Sequence, residues 1–148
     1  MAEENIKDFF QVWGSSIGSS HKAFIYESKV QAGFPSPAED YVEGRLDLNE
    51  LMVRHPSATY YVRVAGDSME GAGIFENDFL VVDRALEARD GDIIVAFLNG
   101  EFTLKRLRIE GNKIRLEPEN PKYEPIEISE GDEFMVWGVV TGVIRKFK

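Results

Sequence analysis

The chain has no cysteine among its 148 residues. That removes disulfide frameworks, thiol nucleophiles and zinc–thiolate sites from consideration. Its two histidines, His21 and His55, are too few and too isolated for a metal cluster, and each reads as a surface residue. The sequence therefore predicts no metal site and no cofactor. Long apolar runs are missing as well: the longest, Ile93 to Leu98, falls far short of a membrane span. The acidic opening Glu3-Glu4 is unlike the basic start of a secretory signal peptide, so the expected compartment is the cytosol. Positive charge is scarce. Seventeen Lys and Arg face 26 Asp and Glu, for a net charge of −9. Neutralising phosphates needs a basic surface, so no direct nucleic-acid binding is expected and the partners should be proteins.

What remains is a chain of 43% hydrophobic residues, enough for one modest core plus an arm. Residues 1–32 read as a mobile N-terminal arm. Ile6, Phe9, Phe10 and Trp13 fall at helical spacing, Gly14 to Ser20 reads as a flexible linker, and Phe24 to Gln31 reads as an extended strand able to lie across an active site. Ser36 and Pro37 have the chemistry of an N-cap and a first helical turn. Leu48 to Val53 reads as another turn or two of helix. From Tyr60 onward strands and turns dominate, with Gly111-Asn112, Asn120-Pro121 and Gly131-Asp132 as turn signals and Phe134 to Ile144 as a long β-rich run. The expected fold of 33–148 is mainly β, a curved or barrel-like set of antiparallel strands. Exposed strands near its C-terminus predict a homodimer.

Two residues carry chemistry in this frame. Tyr60, Val62 and Val64 alternate with Tyr61, Arg63 and Ala65, as in a half-buried strand, and Gly66-Asp67 then breaks it. Ser68 should sit just past the strand end, its hydroxyl exposed and the nearby N–H groups free to bind an oxyanion. Ordinary turn chemistry selects the same residues. Further on, Asn99-Gly100 separates two strand-like runs, the strongest short-range signal for a hairpin. On the returning strand Thr103, Lys105, Leu107 and Ile109 share one face, while Arg106 and Arg108 point the other way. A lysine on an apolar face loses hydration, its pKa falls, and its neutral form can take a proton from a serine. The same pattern suits a lysine whose stem packs while its head reaches water.

Val64-Ala65-Gly66-Asp67-Ser68-Met69, Gly73-Ile74 to Val81-Val82-Asp83, Asp90-Gly91-Asp92-Ile93-Ile94 and Glu101 to Leu107 together resemble the catalytic domain of the LexA/UmuD family of self-cleaving Ser-Lys proteases. Ser68 and Lys105 stand 37 positions apart, the family's spacing, and Ala32-Gly33 begins 36 positions before Ser68. Gln31 to Ala38, Asp40 to Glu43, Arg45 to Asn49 and His55 to Tyr60 are more similar to the UmuD branch. The resemblance runs from about Val30 to the C-terminus. It implies Ser68 as nucleophile, Lys105 as general base, the backbone of Ser68 and Met69 as oxyanion hole, and Ala32-Gly33 as the bond cut. It also implies a RecA filament on single-stranded DNA as stimulus and a UmuC-like translesion DNA polymerase subunit as partner of the processed dimer. The arm is too short for the helix-turn-helix domain of the repressors, and the segment Ile6 to Trp13 has no counterpart in the family pattern. Three other readings are a phage- or repressor-related regulator cleaved to release a protein partner, a non-enzymatic binding module on the same fold, and a peptidase acting on foreign chains.

Overall fold

A computed structural model describes residues 12–14, 22–26 and 42–148. The chain forms strands β1 (Val12–Gly14), β2 (Lys22–Tyr26) and β3 (Val42–Asp47), then a short helix α1 (Leu48–Met52). The body follows as β4 (Thr59–Arg63), β5 (Phe79–Asp83), β6 (Ile93–Leu98), β7 (Glu101–Glu110), β8 (Lys113–Glu117), β9 (Ile126–Glu127) and β10 (Phe134–Ile144). Eight strands make one sheet in the order β1-β4-β5-β10-β6-β7-β8-β9, and β2 and β3 pair as a separate ribbon. Every pairing is antiparallel. The mainly β expectation for this chain holds.

The β6–β7 hairpin turns where the sequence places it. Asn99 and Gly100 both adopt positive φ, at 49° and 87°, which the tight two-residue turn requires. Leu98 then faces Glu101, and Ile94 faces Lys105. The period of two sends alternate residues to opposite faces. Val95 joins a core with Val62, Leu80, Val82 and Trp137, whereas Ile94 and Ala96 join a second with Leu107, Leu116 and Val139. Burial on both faces is why Ile93 to Leu98 is continuously apolar rather than alternating.

The last strand, β10, lies in the middle of the sheet, between β5 and β6. Its register shifts between Val136 and Gly138 against β6, and between Val140 and Gly142 against β5. Such bulges bend a strand and raise its twist, which curves the sheet. Both bulges carry glycine where another chain segment comes close. A Cβ on Gly138 would stand 2.5 Å from Val82 Cγ1, and Gly142 leaves room for the methyl of Met52 from α1. Helix α1 is short but capped: the Asp47 carboxylate accepts the Asn49 N–H at 2.8 Å.

Several expectations need revision. The helix expected over Ile6 to Trp13 lies mostly outside the described residues, but its end does not. Val12 and Trp13 belong to β1, paired with Val62 and Tyr61 at the sheet edge. An edge strand offers unpaired backbone groups, and satisfying them outweighs a weak helical period. Of the expected linker, Gly14 is in β1 and the rest lies outside the described residues. Of the expected strand Phe24 to Gln31, Phe24 to Tyr26 lie in β2, hydrogen-bonded to β3, and the rest lies outside the described residues. The Ser36–Pro37 helix and the Ala32-Gly33 bond lie outside the described residues. Ile109, expected on an apolar face, is 38% exposed because β7 runs past the core there. His55 is more than a surface residue: its Nδ1 lies 2.7 Å from Oδ2 of the buried Asp83.

Replacing Gly138 by Ala drives a methyl into Val82, which is fully buried and β-branched and cannot step aside. A loss of about 1–3 kcal/mol is expected, as for overpacked cores. Urea denaturation checks it, with a lower midpoint at unchanged slope as the expected result.

Candidate active site

Val64 ends the apolar alternation of β4, and its backbone exchanges hydrogen bonds with the loop before β5. Val64 N–H donates to Asp78 O at 2.8 Å, and Asn77 N–H donates to Val64 O at 2.9 Å. Asp78 is buried and held by Arg145 of the C-terminal segment, whose guanidinium keeps that carboxyl below its ordinary pKa. Beyond this anchor Gly66 takes φ +85°, a conformation that side chains with a Cβ resist. The chain reverses, and Met69 drops into the core at 1% exposure. Ser68 is thus fixed between a left-handed glycine and a buried methionine. Among the described residues, the backbone N–H groups of Ser68 and Met69 donate to no acceptor.

Lys105 arrives from the middle of β7, with its Nζ 3.3 Å from Ser68 Oγ. The same nitrogen lies 2.7 Å from Thr103 Oγ1 and 3.1 Å from Leu104 O. Only 8% of the residue is exposed, and burial lowers the pKa of its amine from the ordinary 10.5. Desolvation is the cause of that shift, and among the described residues no carboxylate opposes it. The three oxygens have a chemical consequence. A neutral amine has two N–H donors and one lone pair. Leu104 O can only accept and so takes one donor, while the hydroxyls of Thr103 and Ser68 can each accept or donate. With the second donor on Thr103 Oγ1, this arrangement lets the lone pair accept from the Ser68 hydroxyl.

A strap between β8 and β9 braces the serine turn. Glu119 N–H donates to Ser68 O at 2.8 Å, and Gly71 N–H donates to Glu119 O at 2.7 Å. This approach needs glycine, because a Cβ on Gly71 would sit 2.5 Å from Glu119 O. The Asn120 side-chain amide donates to Asp67 O at 2.8 Å, and the Tyr123 hydroxyl donates to the Asp67 carboxylate. That bond, with Lys122 near the other oxygen, holds Asp67 below its ordinary pKa. The Glu119 carboxylate in turn takes Arg106 Nε at 2.5 Å, and Arg106 follows Lys105 in β7. One residue therefore ties the serine turn to the lysine strand.

The sequence-derived residues Ser68, Met69 and Lys105 are thus brought together around one cavity of about 310 Å³, lined also by Val64, Phe102 and Tyr123. The reading from sequence missed Thr103, although it lies two positions before Lys105 on one strand face. It also missed Glu119, Asn120 and Tyr123, where Asn120-Pro121 signalled only a turn. Among the described residues, no cluster of His, Asp and Glu is placed to hold a metal ion.

A family model described as Peptidase S24-like matches residues 24–141. The chain belongs to the Peptidase S24-like family. It is 44% identical to Protein MucA of Escherichia coli over 135 residues, which cover 90% of each chain. It is 44% identical to Protein SamA of Salmonella typhimurium over 122 residues, 82% of this chain and 84% of that one. It is also 44% identical to the LexA repressor of Ectopseudomonas mendocina over 119 residues, 80% of this chain and 58% of that one. The match to the S24-like family spans both Ser68 and Lys105 and includes the strap.

The lowered pKa of Lys105 makes stability depend on pH with a definite sign. Between the folded value and 10.5 the unfolded chain binds the proton and the folded chain does not, so stability rises with pH across that window. Below the folded value the full cost of a buried charge is present. Lys105→Met, which keeps the volume and removes the charge, is expected to raise the urea midpoint at pH 7. The advantage should shrink as the pH approaches 10.5, and urea melts at several pH values measure it.

Proposed function

We propose that this chain is a self-cleaving Ser-Lys serine protease of the DNA-damage (SOS) response, with Ser68 as nucleophile and Lys105 as general base. The observation that carries the reading is the buried amine of Lys105, 3.3 Å from Ser68 Oγ and, among the described residues, unopposed by any carboxylate. An ammonium paired with aspartate would stay protonated and be useless as a base. A desolvated amine is the form that takes a proton.

The bond cut in this reading is Ala32-Gly33, which separates an arm, 1–32, from the domain 33–148. Neutral Lys105 takes the Ser68 hydroxyl proton as Oγ attacks the Ala32 carbonyl. The N–H groups of Ser68 and Met69 receive the oxyanion. Collapse breaks the peptide bond, and Lys105 returns the proton to the leaving Gly33 amine. Water then attacks the Ala32–Ser68 ester, Lys105 takes its proton and returns it to Oγ, and fragment 1–32 leaves with a new carboxylate. A tethered substrate supplies the high effective concentration that makes a modest base sufficient.

The UmuD-like resemblance of 30–148 supports the wider setting. The proposed stimulus is a RecA–single-stranded DNA filament, acting in the cytoplasm. The processed homodimer would serve as accessory subunit of an error-prone, UmuC-like translesion DNA polymerase. Among the described residues no helix is long and apolar enough to cross a membrane.

Intact mass spectrometry at pH 7 and about pH 10, near the ordinary lysine value, tests the chemistry. Fragments 1–32 and 33–148 are expected, forming about tenfold faster per pH unit until Lys105 is fully neutral. Ser68→Ala and, at neutral pH, Lys105→Ala should lower the rate by about 10³-fold or more. A chain that stays intact at both pH values, and with a RecA filament added, would sink the reading and leave a binding module on this fold.

A further inference from the structure

Tyr123 stands apart from the rest of the strap. Its neighbours Glu119 and Asn120 act on the serine turn through backbone groups and a side-chain amide, but the Tyr123 ring faces the cavity that holds Ser68 and Lys105. It is 45% exposed, as a cleft-rim residue awaiting a partner would be. Exposed aromatic side chains ordinarily sample several rotamers. This one is held at both ends: its hydroxyl donates to Asp67, and its backbone N–H donates to Asn120 O at 3.1 Å. The same cavity is lined by the apolar Val64, Met69, Phe102 and Leu104. A fixed ring over an apolar trough suits an extended peptide with small side chains. Tyrosine buries large area on such a chain at low entropic cost, having two torsions to fix.

We propose that Tyr123 is a substrate-positioning residue, its ring closing the outer wall of the cleft over an extended peptide. The bond to Asp67 fixes the ring and takes no part in proton transfer. This inference rests on the self-cleavage reading and deepens it by naming the wall that holds the substrate chain.

The test compares two reactions of the full-length protein. One is self-cleavage, followed by intact mass. The other is labelling of Ser68 by a small sulfonyl fluoride, which needs the activated serine but no docked peptide. Tyr123→Ala should slow cleavage about tenfold or more, the size of effect expected when a reacting chain is poorly held. Labelling should stay within about twofold of the parent, since Glu119 and Asn120 still hold the serine turn through Ser68 O and Asp67 O. Tyr123→Phe keeps the ring but loses the bond that fixes it, so its cleavage rate should fall between those of Tyr123→Ala and the parent. Cleavage by Tyr123→Ala at the parent's rate would overturn the proposal. So would labelling that falls in step with cleavage, since Tyr123 would then only hold the serine turn. A parent chain that neither cleaves nor labels would remove the protease reading itself, and this inference with it.

Discussion

The site depends on an amine held out of water with no carboxylate beside it among the described residues. Lys105 sits in the middle of β7, beneath the Ser68 turn, and among the described residues its nitrogen meets a hydroxyl, a carbonyl and the serine. Burying an unpaired ammonium is among the larger penalties a fold can carry, and proteins relieve it by giving up the proton. The surrounding structure has to absorb that penalty. Two apolar cores, one on each face of the sheet, and the strap between β8 and β9 do so. In the proposed mechanism the same desolvation that costs stability is what suits the nitrogen to act as a base.

Rigidity around the pair follows from where its parts come from. Ser68 lies past the end of β4 and Lys105 in β7, strands that are not neighbours in the sheet. Their separation is therefore set by elements that touch both. Glu119 is the most direct of these, with its backbone on Ser68 and Gly71 and its carboxylate on Arg106. Arg145 provides a second anchor at the base of the turn, through Asp78. Loops carry functional groups well only when a scaffold fixes them, and here the scaffold is a long-range set of hydrogen bonds.

Much of this was legible before any coordinates. The alternation in Tyr60 to Val64, broken by Gly66-Asp67, put Ser68 past a strand end, where it is found. Asn99-Gly100 fixed the β6–β7 register, and with it the face that Lys105 occupies. Composition and spacing were poorer guides at the edges. Trp13 read as helical but lies in β1, because an open sheet edge next to β4 offers a ladder of hydrogen bonds. His55 read as surface because nothing local reveals that Asp83, 28 positions later, is buried beside it. The strap left only a turn signal, since its partners are some fifty positions away in sequence.

Local chemistry thus decided which residues matter. Turn residues after an alternating strand, a hairpin dipeptide and a lysine at an apolar register position are short-range facts, and a sequence states them directly. Tertiary structure decided whether they meet. The 3.3 Å between nitrogen and oxygen, the lowered basicity of the lysine and the place of Tyr123 in the cavity lining all arise from contacts between segments far apart in the chain. Desolvation is a property of everything packed around a group, so no window of sequence contains it.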